Sequence, residues 1–90
     1  MKTIKDVMDS KIDDYEFSVR CINCMKRLNI KTLAELTRYS LNDLLQVKNN
    51  GKKSIEEITK KISDIGLWFQ MNDRDWLSWG VKNIEWIKTH

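Results

Sequence analysis

Apolar residues recur every three or four positions along most of this chain, the spacing of one face of a helix. Val19, Ile22, Met25 and Leu28 step by three and predict a helix over 19–28, with Ser18 where an N-cap belongs. Thr32-Leu33-Ala34-Glu35 has the form of a capping box and opens a short helix carrying Leu33 and Leu36. Ser40 is placed to cap another, with Leu41, Leu44, Leu45 and Val47 turned inward. Ile55, Ile58, Ile62 and Ile65 form a clean buried face, and Gly66 follows directly as the residue that ends a helix. A last helix is predicted over 73–89. Between the third and fourth of these, Asn49, Asn50 and Gly51 are residues that tolerate left-handed backbone, so the turn predicts a helix-hairpin-helix. The expected fold is all-α: a compact bundle of about five short helices with a helix-hairpin-helix motif, plus an extra C-terminal amphipathic helix. The expected organisation is a lead segment over 1–11, a helical domain over 12–70 and the aromatic helix over 71–90.

Composition narrows the class. The chain has 90 residues, 41% hydrophobic and 32% charged, with no proline and three glycines, which suits one small globular helical domain. No apolar run approaches the roughly 18 residues of a membrane span. Residues 1–10 alternate charge with single apolar positions and do not read as a cleavable signal, so an intracellular, cytoplasmic protein is expected. Cys21 and Cys24 form a C-x-x-C, but the lone histidine is His90 at the far end and no strand precedes the pair. The reading is two small buried side chains, with no metal and no cofactor.

Charge is unevenly spread. Residues 1–17 carry net −2, residues 18–61 carry ten Lys/Arg against four acids for net +6, and residues 62–90 carry net −1. A basic middle is the electrostatic footprint of a nucleic-acid binder. Within it, Gly51 followed by Lys52 and Lys53 at a helix entrance suits a phosphate: backbone N–H groups and the positive helix end point outward, and the lysines neutralise the anion. Arg20 and Asn23 share one exposed side near another helix start, with Lys26 and Arg27 further along. A cation there opposes the helix dipole, which argues for a partner outside the chain.

The stretch IDDYEFSVRCINCMKRLNIKTLAELTRYSLNDLLQVKNNGKKSIEEITKKISDIGL, about Ile12 to Leu67, closely resembles the C-terminal domain of the bacterial RNA polymerase alpha subunit. SVR-x-x-NC-x-K, IKT-x-x-EL and GKKS-x-x-EI occur in order and at the family's spacing. The resemblance implies a compact helical fold that binds the minor groove of A·T-rich DNA upstream of promoters. It also implies contact with RNA polymerase, sigma factor or transcription activators. It implies that Arg20 enters the minor groove, that Asn23, Cys24 and Lys26 flank it, and that Gly51, Lys53 and Ser54 meet phosphates beside Lys52. Glu57 would orient the cluster, and Asp14 and Glu16 would form an acidic patch for protein partners. The sequence departs from the family at Asn50, where an apolar residue is usual and looser packing is expected, and at Tyr15 and Phe17. The family's assembly domain and long linker are absent from this sequence, which reads as a fragment or a free-standing relative.

The stretch LWFQMNDRDWLSWGVKNIEWIKTH holds all four tryptophans and is not expected in the family. On a helix of about 100° per residue its apolar positions cover roughly 220°, more than one contact needs. Gly80 lies inside that arc, where it would let another helix come close. The helix either wraps the core from two sides or leaves Trp79 and Trp86 exposed for a partner or a weak homodimer. Three function classes follow. The leading one is a non-enzymatic DNA-binding module of transcription in the bacterial nucleoid. The alternative is a protein-interaction adaptor of the same fold with little DNA affinity. Catalysis is not expected, since no nucleophile has a nearby base and no carboxylate pair has a cleft.

Overall fold

The computed structural model describes residues 2–48 and 50–90, in which every regular element is helical. In sequence order these are α1 (Ile4–Met8), a 3₁₀ turn (Ile12–Asp14), α2 (Val19–Arg27), α3 (Leu33–Arg38), α4 (Leu41–Gln46), α5 (Lys52–Asp64), α6 (Asp73–Lys82) and α7 (Ile84–Thr89). The expected all-α bundle is what forms. Among the described residues no helix is long and apolar enough to cross a membrane.

Local chemistry sets most of the helix ends. Ser18 Oγ accepts from the Cys21 N–H at 3.4 Å, Thr32 Oγ1 from Glu35 N–H at 3.2 Å and Ser40 Oγ from Asp43 N–H at 3.1 Å. Each supplies an acceptor to a first-turn N–H that has no partner within the helix. Two C-termini close with a left-handed residue. At α5, Gly66 has φ 82°, its N–H donates to Ser63 O at 2.9 Å, and Leu67 N–H donates to Ile62 O at 2.8 Å. At α2 the same pair of bonds forms around Asn29, with φ 57°.

One core receives side chains from the whole molecule: Val7, Met25, Leu33, Leu36, Leu44, Ile55, Ile58, Ile62, Trp76 and Trp79 are all buried. The residues expected on α5 are inside, with Ile65 half-buried at its end. On α2 the stripe is shifted from the expected one. Cys21, Cys24 and Met25 face inward, while Val19 is 76% exposed, because the first turn projects past the edge of the core. On α4 only Leu44 is buried; Leu41 and Leu45 stay exposed because the short helix touches its neighbour α5 along one line.

The C-terminal stretch is two helices rather than one. Asn83 leaves helical backbone at φ −121° and ψ 30°, and its side-chain amide donates to Trp79 O at 2.7 Å. That side-chain bond occupies a carbonyl which a continuous helix would pair with a backbone N–H. Of the two readings of this stretch, wrapping the core is the one realised. Trp79 is 2% exposed and donates its indole N–H to Ile65 O at 2.7 Å, at the C-terminal end of α5, so it is not an exposed edge. Trp76, Trp79 and Trp86 meet edge-to-face at 5.5 and 5.6 Å, and His90 stacks on Trp86 at 4.5 Å. Trp86 is half-buried.

Gly80 does admit a close neighbour, and it is α1 of the same molecule. A Cβ at that position would overlap Ile4 Cγ1 and Cδ1. Replacing Gly80 by Ala is therefore expected to destabilise the fold by about 1–2 kcal/mol, the overlap outweighing the better helix propensity. In an Ile4→Ala background the same replacement becomes neutral or stabilising. Urea denaturation of the two singles and the double checks this coupling.

Candidate nucleic-acid interface

The starts of α2 and α5 face each other across an open cleft of ≈ 420 Å³ lined by Arg20, Asn23, Cys24, Arg27, Gly51, Lys52, Lys53 and Ser54. What holds them there is Glu57, one turn into α5. Its Oε2 accepts from the Ser18 N–H at 3.2 Å and from the Cys21 thiol at 3.1 Å. The thiol also lies 3.4 Å from Ser54 O. Ser18 is the N-cap of α2, so the carboxylate fastens the entrance of one helix to the first turns of the other.

Burial pushes the Cys21 thiol pKa up, and the Glu57 carboxylate adds to the effect, which keeps the thiol a protonated donor. The same bond, together with those from Ser18, holds Glu57 below its usual carboxylate value, and Arg20 contributes attraction. The expected orienting residue is thus at the joint between the two helices.

Charge placement in the first turns separates α2 and α5 from every other helix of the described residues. Asp6, Glu35, Asp43, Asp73 with Asp75, and Glu85 put acids in the first turns of α1, α3, α4, α6 and α7. The first turns of α2 and α5 hold no acid and instead carry Arg20, Lys52 and Lys53. Positive helix ends and cations repel, so these two turns carry a positive field that no acid of their own first turns offsets.

Gly51 adds to this. It is the N-cap of α5, with φ −75° and ψ 145°, an ordinary extended conformation, and a Cβ there would meet nothing within 4 Å. The left-handed turn expected at Asn50 and Gly51 is not formed, and Asn49 lies outside the described residues. Neither strain nor internal packing requires glycine at position 51. What the missing side chain does is leave the N–H groups of the α5 entrance open to solvent.

Asn50 does not loosen the hairpin as expected. Its amide donates to Leu44 O at 3.1 Å and its Oδ1 accepts from Arg27 at 2.8 Å, so polar bonds replace apolar packing and fasten the turn to α2. Arg27 also reaches Cys24 Sγ at 3.7 Å.

Asn23 and Cys24 line the cleft beside Arg20, and Lys26 does not. Cys24 is buried and forms the floor of the cleft. Lys26 lines a separate hollow with Lys11, Asp13 and Lys31 and does not reach the cleft. The residue on the wall is Arg27, because 20, 23, 24 and 27 share one helix face and 26 does not. That spacing was available in the sequence as the signal for Arg27.

Asp14 and Glu16 are exposed and lie with Tyr15, Phe17, Lys61, Trp86 and His90 around another hollow of ≈ 720 Å³; Trp79 is not part of it. Among the described residues no three His, Cys, Asp or Glu side chains group to hold a metal ion.

A domain whose short turn between two helices borders a basic cleft is of the helix-hairpin-helix type. The sequence profile of the family described as the C-terminal domain of the bacterial RNA polymerase alpha chain matches residues 1–64, so this protein belongs to that family. It is 49% identical over 61 residues to the DNA-directed RNA polymerase subunit alpha of Moorella thermoacetica, covering 68% of this chain and 20% of that subunit. With the corresponding subunit of Clostridium botulinum strain Eklund 17B the identity is 40% over 67 residues, 74% of this chain and 21% of the relative. The sequence thus spans about a fifth of the length of these relatives. The NMR structure of the C-terminal domain of the RNA polymerase alpha subunit from Helicobacter pylori superposes with a TM-score of 0.64 at 34% identity, covering 88% of this chain and 70% of that one. The family profile ends at residue 64, while the likeness in shape covers 88% of the chain and so extends into the tail beyond Leu67, which was not expected to have a family counterpart.

A carboxylate held below its ordinary value binds its proton less readily in the folded than in the unfolded state, so acid favours unfolding. Glu57 therefore contributes stability that is present above its ordinary pKa of 4.5 and lost as the pH falls through its lowered value. Denaturant midpoints are expected to fall on acidification below that pH. The Glu57→Gln variant should show a shallower acid-side slope, and its midpoint at neutral pH should be lower than that of the parent.

Proposed function

We propose that this protein is a non-enzymatic DNA-binding module of transcription that places Arg20 in the minor groove of A·T-rich duplex and rests the α5 entrance on flanking phosphates. The observation that carries this reading is the pairing of two helix starts that bear cations where all the other described helices bear acids, across one open cleft. Phosphates meet the N–H groups of the α5 entrance with Lys52, Lys53 and Ser54, and the absent side chain of Gly51 lets the backbone approach. Arg20 and Asn23 point into the groove, where a narrow A-tract concentrates negative potential and draws an arginine. Arg27, held by Asn50, supplies positive charge on the same wall. Membership of the family and the likeness to subunits of RNA polymerase support a place in bacterial transcription in the cytoplasm.

A second surface supports protein contact. Asp14, Glu16 and Trp86 line one hollow on which a basic side chain of the transcription machinery would find both a carboxylate and an aromatic wall. This serves the adaptor reading as well as the DNA-binding one, and the DNA measurement separates them.

Fluorescence anisotropy of labelled A-tract and G·C-rich duplexes, at two salt concentrations, tests the proposal. The parent should prefer the A-tract, with affinity falling steeply with salt. Arg20→Ala should lose the preference and about tenfold or more in affinity, in line with roughly 1–3 kcal/mol for a specific contact. Gly51→Val meets no internal obstacle, so it should fold and yet bind both duplexes more weakly. Equal, weak binding of both duplexes by parent and variants would instead favour the adaptor.

A further inference from the structure

α2 carries cations on two sides of its exposed ridge, and only one side belongs to the α2–α5 cleft. At about 100° per residue, Arg20, Arg27 and Asn23 follow one another around the helix, and Lys26 comes about 60° past Asn23. Cys21, whose thiol meets Ser54 O and Glu57 of α5, lies on the other side of Arg20. Arg20 and Asn23 thus stand between α5 and the surface that Lys26 borders.

That surface is an open hollow of ≈ 300 Å³, bordered by Lys26, Lys11 and Lys31. Backbone bonds bring the three together. Ile12 N–H donates to Lys31 O at 3.0 Å and Leu33 N–H to Ser10 O at 3.1 Å, which ties the segment after α1 to the segment before α3. Asn29, left-handed at φ 57°, turns the chain off the end of α2 into that pairing. All three lysines are exposed, and none forms an ion pair among the described residues. Asp13 borders the same hollow, so three ammonium groups face one carboxylate, an excess of two positive charges. The negative end of α2 accounts for Lys26. It does not account for Lys11, which precedes the 3₁₀ turn, or for Lys31, which precedes the N-cap of α3 and opposes that helix's positive end. The apolar residues of the hollow, Ile12 and Ile30, are buried. It therefore offers charge and little apolar area, which suits a phosphodiester backbone better than a folded protein surface.

We propose that the Lys11, Lys26 and Lys31 hollow is a second phosphate-binding surface, which takes the sugar-phosphate backbone on the far side of Arg20 from the α5 entrance. It rests on the reading of the α2–α5 cleft as a minor-groove contact. A groove has a strand on either side, so an arginine centred in it is flanked by phosphates on both, and the protein has a basic surface for each. Lys26 lies about 9 Å along the helix axis from Arg20. Phosphates recur about every 3.4 Å along one strand, so the hollow meets the backbone within roughly three nucleotides of the inserted arginine. Lys11 and Lys31 add affinity there without reading bases.

The salt dependence of binding tests this, by anisotropy titration of labelled A-tract and G·C-rich duplexes at several salt concentrations between about 50 and 200 mM. Lys11→Gln and Lys31→Gln change exposed positions and should fold as the parent does. Each should lower the steepness of log affinity against log salt by about 0.9, and the double variant by about twice that. Each should weaken both duplexes by the same factor, so that the A-tract preference is kept. Asp13→Asn should tighten both. Lys82→Gln removes the same charge from α6, outside both surfaces, and should leave the slope as in the parent. Lys11 and Lys31 variants that keep the parent's slope would overturn the proposal, as would a Lys82→Gln that lowers it equally. If Arg20→Ala then still abolishes the A-tract preference, the proposed function stands and the hollow is left to an acidic protein surface. A parent that binds neither duplex overturns both.

Discussion

The bond from the Ser18 N–H to the Glu57 carboxylate is the constraint on which the rest of the candidate site depends. A helix entrance is an array of unpaired donors, and two such entrances placed together repel unless something negative stands between them. Glu57 supplies that charge from within the molecule. It takes one donor of the α2 entrance and the thiol of Cys21, and leaves the outer donors and the cations facing the cleft. The remaining imbalance is positive and points outward into the cleft.

The neighbouring Asn50 shows how a polar substitution can keep a hairpin tight. An apolar residue at that place would hold the turn by burial alone. Asn50 holds it by accepting from Arg27 and donating to Leu44 O. These bonds are directional, so they fix Arg27 on the cleft wall as well as fastening the turn. Asn50 thus sets Arg27 on the surface that Arg20, Lys52 and Lys53 already line.

Elements with strong local signals were legible in the sequence. Ser18, Thr32, Ser40 and Gly66 act where their chemistry put them, and the isoleucines of α5 are buried as their spacing required. What failed depended on tertiary context. Val19, Leu41 and Leu45 lie at apolar positions of helices too short to reach cover, so pattern alone overstated the core. Asn83 ended a helix that periodicity ran straight through, because a side-chain bond to Trp79 O is invisible to a count of apolar positions. Trp79 looked like spare surface until the carbonyl of Ile65 gave its indole a buried partner. At the cleft, the resemblance implied a place for Lys26 beside Arg20, and the wall itself is lined by Arg27. Gly51 was read both as a left-handed turn residue and as an open helix entrance; its extended backbone removes the first reason, and the space around it is empty.

The seat of Ile4 on Gly80 also bears on the order in which the molecule assembles. The two residues are 76 positions apart, so their contact closes nearly the whole polypeptide into a loop. The packing of α4 on α5 and of α6 on α7 joins neighbours in sequence and closes short loops at small entropic expense, and that of α2 on α5 closes a loop of intermediate length. During synthesis α1 emerges before α6 and has no surface there to receive it until α6 has followed. The middle helices are therefore placed to gather first, and the docking of α1 against α6 becomes the clasp that fastens the two ends of the molecule.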